Sequence, residues 1–413
     1  MINRRQFLSG SAATAAALLT SRSGLANADD PIGSYGPILR RELFKAPIII
    51  EAMDLVKVDH NWFVHVRSAD GAEGWAISHN RSLPLSRGIF TELVAPFMVG
   101  RDARDLESLV DEVYLHSSNY KLQGQSFWVP VASAEFAILD LLGRIAGVSA
   151  AELLGGRLRE DIPLYIANNH RHLGPAESLA KIVESVDQID ARAVKFKLGG
   201  RMKNRDRIPG RTDALIPMVA EALGDRCTLY ADANSSYVDV GEAIRIGRLL
   251  EAHNFAFYEE PCPFDYLEET KQVSEALDIP IAWGEQESSQ WRFKWMIDHG
   301  GVQIPQPDLF YYGGLIRSLR VARMAASRGL DCTPHISGYG LGFLYMGIYA
   351  TCCPNPGAFQ EYKGINHDFP WVSNGPELTI KGGVMTAPGG VGLGVDIDPD
   401  YLAAGEVIET SAG

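Results

Sequence analysis

Seven polar residues recur along this chain at the spacing of one strand–helix unit. They are Lys197, Asp232, Glu259, Glu285, Asp308, His335 and Glu361, separated by 35, 27, 26, 23, 27 and 26 residues. Each stands at or just past the end of a short apolar or β-branched run. One charged strand end is commonplace, but seven in phase are hard to explain as solvated surface. Asp232, Glu259 and Glu285 end consecutive runs, so they lie side by side and offer oxygen ligands with no Cys or His among them. That donor set suits one hard octahedral cation such as Mg²⁺, with water and substrate oxygens completing the shell. The competing reading pairs one carboxylate with Lys195 or Lys197 and solvates the rest. It is the weaker, because adjacent carboxylates without a cation repel one another.

Lys195 and Lys197 stand at i, i+2 and so point to one side of their strand. An isolated K-x-K is a weak signal, more often a solvent-facing strand edge than a site. Beside a divalent cation it gains meaning, since the field and partial burial depress a lysine pKa and make a neutral amine base. Asp308 and His335 end adjacent runs. A carboxylate on one imidazole nitrogen fixes the tautomer and raises the basicity of the other, giving a second acid/base group.

These side chains need a scaffold that brings many strand ends to one centre. The runs at 162–166, 193–197, 228–232, 255–259, 281–285, 302–305, 331–334 and 358–361 alternate with amphipathic helical stretches. Eight such units predict a TIM-type barrel, whose active sites lie at the C-terminal rim of the strands. Ahead of them, runs at 48–52, 62–66 and 74–77 read as an antiparallel meander, with turns at Asp59-His60-Asn61 and Ser68-Ala69-Asp70-Gly71. A helix over 133–142, apolar on one face, closes toward Gly155-Gly156. Strands followed by helices predict a separate α+β domain over 48–156.

The first residues read differently. Arg4-Arg5-Gln6-Phe7-Leu8 precedes an alanine-rich apolar stretch from Ala12 to Leu19, and Ala26-Asn27-Ala28 supplies small residues for cleavage before Asp29. This resembles a twin-arginine signal peptide, and the apolar run is too short to span a bilayer. Export of an already folded, metal-loaded protein to the periplasm or beyond is expected, with no membrane span in the mature chain. The 413 residues carry a formal charge of −13, and the leader holds three arginines and no acid, which leaves −16 on the mature chain. So acidic a protein is a poor partner for nucleic acid or anionic lipid. Five cysteines, scattered and without C-x-x-C spacing, indicate neither a disulfide scaffold nor a zinc ribbon.

K-x-K on the second barrel strand, carboxylates ending strands three to five and an Asp/His pair on strands six and seven together resemble the enolase superfamily, most nearly its mandelate racemase subgroup. The stretches carrying the likeness are Val194-Lys195-Phe196-Lys197, Ala231-Asp232-Ala233-Asn234, Glu259-Glu260-Pro261, Gly284-Glu285, Pro307-Asp308 with Gly313-Gly314, and Thr333-Pro334-His335. The tail from Val384 to Asp396 is similar to the segment that returns to complete the capping domain. Asp308 sets the subgroup, since the muconate-cycloisomerase and dipeptide-epimerase branch carries lysine five residues before this Gly-Gly. The resemblance implies a (β/α)7β barrel over 157–365 and a capping domain built from 48–156 and the C-terminal segment 366–413, after a leader at 1–28 and an extension at 29–47.

It also implies roles. Asp232, Glu259 and Glu285 become ligands of one Mg²⁺. Lys197 is the base on one face of the substrate, His335, oriented by Asp308, the acid/base on the other. Lys195 contacts the substrate carboxylate and Glu361 hydrogen-bonds it. The implied chemistry is abstraction of the proton α to a carboxylate through an enediolate. If His335 expels a β-hydroxyl the protein is an acid-sugar dehydratase making a 2-keto-3-deoxy acid; if it reprotonates the opposite face, a racemase or epimerase. Dehydration is favoured, and a homo-oligomer is expected. Asn168, His170 and Asn234 are candidate substrate contacts. The basic residues Arg201, Lys203, Arg205, Arg207 and Arg211 read at least as well as a solvated loop, and His79-Asn80-Arg81 could reach over from the cap. A noncatalytic sugar-acid or metal binding protein is the reading of another class, disfavoured because binding alone does not require paired acid/base groups.

Overall fold

The computed structural model describes residues 36–338, 340–364 and 369–413, and the leader and cleavage site read above lie outside them. Pro37–Gly413 form one compact unit. Its capping sheet contains β1 (Ile50–Val58), β2 (Asn61–Ser68) and β3 (Glu73–Ile77), the meander expected, with strands longer than the sequence runs. Val58 pairs with Asn61, so Asp59-His60 alone makes the first turn, and Asp59 adopts φ 53°. Aspartate tolerates the left-handed region that such tight hairpins need.

Helix α1 (Leu106–Leu115) packs on α2 (Gln125–Ala146), which backs this sheet. The second corrects the helix expected over 133–142. It runs further at both ends and is buried from Phe127 to Gly143 on every face, because it lies between the capping sheet and the barrel. Gly147, at φ 67°, ends it, and a short helix at Ala150–Leu153 intervenes before Gly155-Gly156. Gly74 on β3 lets the sheet approach closely: a Cβ there would meet Ala137 O and Leu141 N at 2.4 Å.

The barrel strands are β4 (Asp161–Ala167), β5 (Ala193–Lys197), β6 (Thr228–Asp232), β7 (Phe257–Glu259), β8 (Ile281–Trp283), β9 (Ile304–Pro305) and β10 (Gln360–Tyr362). They are parallel in this order, and β10 closes on β4 with Glu361 opposite Tyr165. The seventh position departs from expectation. The run at 331–334 forms no ladder strand; it is tied to the β9 end by Thr333 N–Pro305 O (3.2 Å), His335 N–Pro307 O (3.1 Å) and a lone bridge between Asp308 and His335. Helices follow the strands: α3 (Pro175–Ile189), α4 (Arg211–Leu223), α5 (Val240–Ala252), α6 (Leu267–Ala276), α7 (Gln290–Asp298), α8 (Leu315–Ala326) and α9 (Phe343–Cys352). Tyr165, Ala193, Tyr230, Phe257 and Ala282 plug the barrel, with Tyr230 and Phe257 stacked at 3.9 Å. Because strand side chains alternate, the residue two further on from each plug residue faces the same interior. The plug is thus the floor on which the polar strand ends stand.

The C-terminal segment divides its work. Strand β11 (Trp371–Ser373) pairs with β14 (Val395–Ile397), and the hairpin of β12 (Ile380–Lys381) and β13 (Val384–Thr386) extends the foot of β4, with Val384 opposite Pro163. Only the last strand, β15 (Glu406–Ala412), joins the capping sheet, antiparallel to β1. Asp140 of α2 ties the capping sheet and the C-terminal segment to the helix by accepting from Trp75 N of β3 (2.9 Å) and Leu393 N (2.9 Å). All five cysteines are buried and unpaired. Among the described residues, no helix is long and apolar enough to cross a membrane.

Candidate active site

Register brings the strand ends together. Lys197 lies beside Asp232, and Asp232 beside Glu259. Asp232, Glu259 and Glu285 are all buried, each presenting a carboxylate oxygen within 4.8 Å of the others. Lys195 Nζ donates to Glu259 Oε2 (2.7 Å) and Oε1 (2.9 Å) and lies 2.9 Å from Glu361 Oε1, while Lys197 pairs with Asp232 Oδ2. Glu285 Oε2 is buried without a hydrogen-bond partner. An all-oxygen donor set with one oxygen unclaimed fits a hard divalent cation.

The charges around this cluster are held by each other. Burial raises the Asp232 carboxyl, but Lys197, with Lys195 and Arg171, outweighs burial and the Glu285 charge, so its pKa lies below the ordinary value. Burial and the Asp232 and Glu285 charges push Glu259 well above the carboxylate range in spite of Lys195. Glu285, though buried, is held low by His335 and the lysines. At Lys195 burial lowers the pKa, but the Glu259 and Glu361 charges more than reverse this and keep it charged. Two carboxylates within salt-bridge reach outweigh the desolvation of one ammonium.

His335 Nδ1 lies 2.6 Å from Asp308 Oδ2, as the adjacent strand ends imply. Asp308 is itself fixed by the backbone N–H groups of Phe310 (2.8 Å) and Tyr311 (2.7 Å) and by Ser337 Oγ (3.0 Å). His335 Nε2 faces the cluster, 3.3 Å from Glu285 Oε2 and 3.5 Å from Glu361 Oε2.

The candidate substrate contacts divide. Asn234 turns its amide onto the carboxylates, not outward: Nδ2 donates to Asp232 Oδ2 (3.1 Å) and Glu285 Oε1 (3.2 Å), and Oδ1 accepts from Arg171 (2.6 Å). Asn168 is buried just past β4 with Nδ2 unpartnered. No hydrogen bond joins the His170 ring to the cluster; its nearest aromatic partner is His172, with centroids 6.5 Å apart. Lys195 and Glu361 have no exposed side-chain surface. Of the basic segment, Arg201, Lys203, Arg205 and Arg207 are exposed. Arg211 is buried and structural, donating to the carbonyls of Leu173, Lys197 and His170.

Sequence reasoning missed four contributors. Arg171 braces Asn234, Gln286 donates to Glu285 Oε1 (2.9 Å) and Gln306 to Glu259 Oε2 (3.1 Å). Lys363 reaches His335 Nε2 (3.1 Å), and its sequence signal was available: Glu361-x-Lys363 on the last strand mirrors Lys195-x-Lys197 on the second. The cap touches the site at three points. Gln125, first residue of α2, donates to Gln286 (2.9 Å). His79 packs edge-on against Phe310 (5.4 Å) and lies 3.5 Å from Tyr311 Oη, whereas Asn80 braces β2 and Arg81 is exposed. Glu135, wholly buried in α2, accepts the Leu315 and Ile316 N–H groups at the start of α8.

Comparison with known proteins bears on this geometry. Residues 177–401 match a family described as Enolase C-terminal domain-like, and residues 1–21 match the TAT (twin-arginine translocation) pathway signal sequence, which suggests export. The chain is 26% identical to a D-galactarolactone cycloisomerase of Agrobacterium fabrum, covering 82% of this chain and 89% of that one. It is 27% identical to a D-galactonate dehydratase of Ralstonia nicotianae, covering 81% and 88%. A solved structure from Roseobacter denitrificans, named as a candidate racemase, superimposes with a TM-score of 0.82 at 33% identity, covering 89% of this chain and all of that one. With the lysine pair, the three carboxylates and the Asp/His pair arranged on a capped barrel and the match extending over more than half its length, the chain belongs to the enolase superfamily, in its mandelate racemase and muconate lactonizing branch.

Proposed function

We propose that this protein is a Mg²⁺-dependent lyase that dehydrates an acid sugar, an aldonate or aldarate, to a 2-keto-3-deoxy acid. The observation that carries the reading is the pair of proton-transfer groups, Lys197 and His335, brought to one carboxylate cluster from separate positions around the barrel. Dehydratase names among the relatives support the reaction class.

Asp232, Glu259 and Glu285 are the residues assigned to the cation. When bound, the cation supplies positive charge opposite the substrate carboxylate as the α-carbon gives up its proton. Lys197 takes that proton at Nζ. Lys195, kept charged by Glu259 and Glu361, is the residue assigned to the carboxylate end, and Glu361 fixes its ammonium. His335, its Nδ1–H fixed on Asp308, presents Nε2 to the other face, where proton delivery expels the β-hydroxyl. Asn168 and His170 line the approach from β4. The twin-arginine leader supports a periplasmic or secreted enzyme, and the relatives' names support a small carboxylate as its substrate.

The second reading is racemisation or epimerisation of a 2-hydroxy acid, favoured by the presence of acid/base groups on both faces and by the racemase-named structure. Mature protein with Mg²⁺ is assayed against a panel of aldonates and aldarates for 2-keto acid and for optical rotation. Dehydration predicts 2-keto acid; racemisation predicts loss of rotation without it. Lys197→Ala and His335→Asn are each expected to lower turnover by about 10²–10⁴-fold, and full turnover in either variant would sink the mechanism.

A further inference from the structure

Lys363 is the one strong contact of His335 that none of these roles uses. Its Nζ donates to Ile336 O (2.7 Å) and lies 3.1 Å from His335 Nε2 and 3.2 Å from Glu361 Oε2, with a side chain only 14% exposed. An ammonium has three N–H donors and here has three acceptors within reach. The Asp308 carboxylate takes Nδ1 of the same ring, and at Nε2 Lys363 is the nearest group, ahead of Glu285 Oε2 (3.3 Å) and Glu361 Oε2 (3.5 Å).

The two faces of the site are therefore unlike. Carboxylates stand on both sides, Asp232 at Lys197 and Glu285 (3.3 Å) and Glu361 (3.5 Å) at His335 Nε2, but only His335 has in addition a lysine cation, Lys363, at its reactive nitrogen. Racemisation asks the same thing of both faces, a proton off one and on to the other, and gains nothing from this asymmetry. Elimination asks for something extra on one face only, because charge develops on the departing oxygen. A preorganised cationic donor at that point stabilises the transition state.

Resting on the dehydratase reading, we propose that Lys363 is a substrate-contacting residue which, together with His335, takes the oxygen on the substrate's β-carbon and so selects 3-hydroxy acids for elimination. Lys197 Nζ accepts the α-proton, the freed electron pair forms the Cα–Cβ double bond, and the Cβ–O bond breaks. The oxygen leaves as water with one proton from the His335–Lys363 pair. The enol that remains moves its hydroxyl proton to Cβ and becomes the 2-keto-3-deoxy acid.

The test follows elimination and α-hydrogen exchange together. Wild type and Lys363→Met, each loaded with Mg²⁺, are incubated in D₂O with a panel of five- and six-carbon aldonates, and the acid giving most 2-keto acid is the probe. In Lys363→Met the ratio of elimination to α-deuterium incorporation falls about 10²-fold, while total α-deprotonation stays within about threefold of wild type. Calorimetric binding of the probe and its 3-deoxy counterpart gives the second readout. Wild type prefers the hydroxylated acid by about tenfold, as one charged hydrogen bond implies, and the variant binds the two alike. Lys363→Gln serves the same comparison if the methionine variant does not fold. An unchanged ratio, or equal loss of exchange and elimination, overturns the assignment. Exchange without elimination in wild type overturns it and leaves the superfamily chemistry standing, whereas neither reaction on any acid removes the proposed function and this inference together.

Discussion

At the scale of single residues, the site is a set of charges that hold one another. Asn234 shows how little slack there is: one amide donates to two of the three clustered carboxylates, and Arg171 fixes which way it faces. Asn234→Ala is expected to weaken Mg²⁺ binding by about 10–100-fold, as loss of a group that orients metal ligands does; titration calorimetry checks it, and unaltered affinity would mean the amide does no orienting. The residue types at the strand ends were legible in the sequence because each ended a hydrophobic run in phase with its neighbours. Asn234 was legible as polar and near, but not as a brace, because its direction depends on a left-handed backbone at φ 41° that no spacing announces. The pair of carboxylates around Lys195 was hidden for a related reason. Its second carboxylate, Glu361, comes from the far end of the barrel and becomes a neighbour only when β10 closes on β4.

Elements set how the cap bears on the barrel. Helix α2 inserts Glu135 at the start of α8, where free backbone N–H groups and the helix dipole favour a carboxylate. Burial nonetheless pushes this carboxyl up to about 8, since the Leu315 and Ile316 N–H groups and the distant Arg320 and Arg317 only partly offset desolvation. The folded protein therefore keeps a proton here that the unfolded chain loses near the ordinary carboxylate pKa. Stability from this site is full below about pH 4.5 and is lost as pH rises through about 8. Glu135→Gln keeps an acceptor for the two N–H groups and cannot ionise, so its Tm should fall less between pH 6 and 8 than that of wild type. Parallel Tm profiles would show that Glu135 does not titrate in that range. Most of the elements were readable, since alternating runs and helical stretches give strands and order. The exceptions have physical causes. The all-round burial of α2 hides any amphipathic period, and the 331–334 run is carried by three tethers in place of a ladder.

On the scale of the molecule, the surplus of acid is mostly surface. Three of the carboxylates belong to the cluster and Asp308 to a histidine, which leaves the greater part of the −16 carried by residues 29–413 for solubility. The capping sheet takes strands from both ends of the chain, with β15 against β1. Ending the chain before Glu406 should bare the β1 edge, lower Tm by several degrees and promote aggregation; thermal melts and light scattering test this, and an unchanged melt would show that the edge strand adds nothing. That same pairing sets a clock. About 350 residues separate β1 from its last partner, and at roughly 5–20 residues per second the ribosome needs some 20–70 s to make them. The leader-like segment emerges first, yet the capping sheet lacks a strand until Glu406–Ala412 has been made. A translocation route that accepts only folded cargo would meet a chain cut before Glu406 as one with the β1 edge still open.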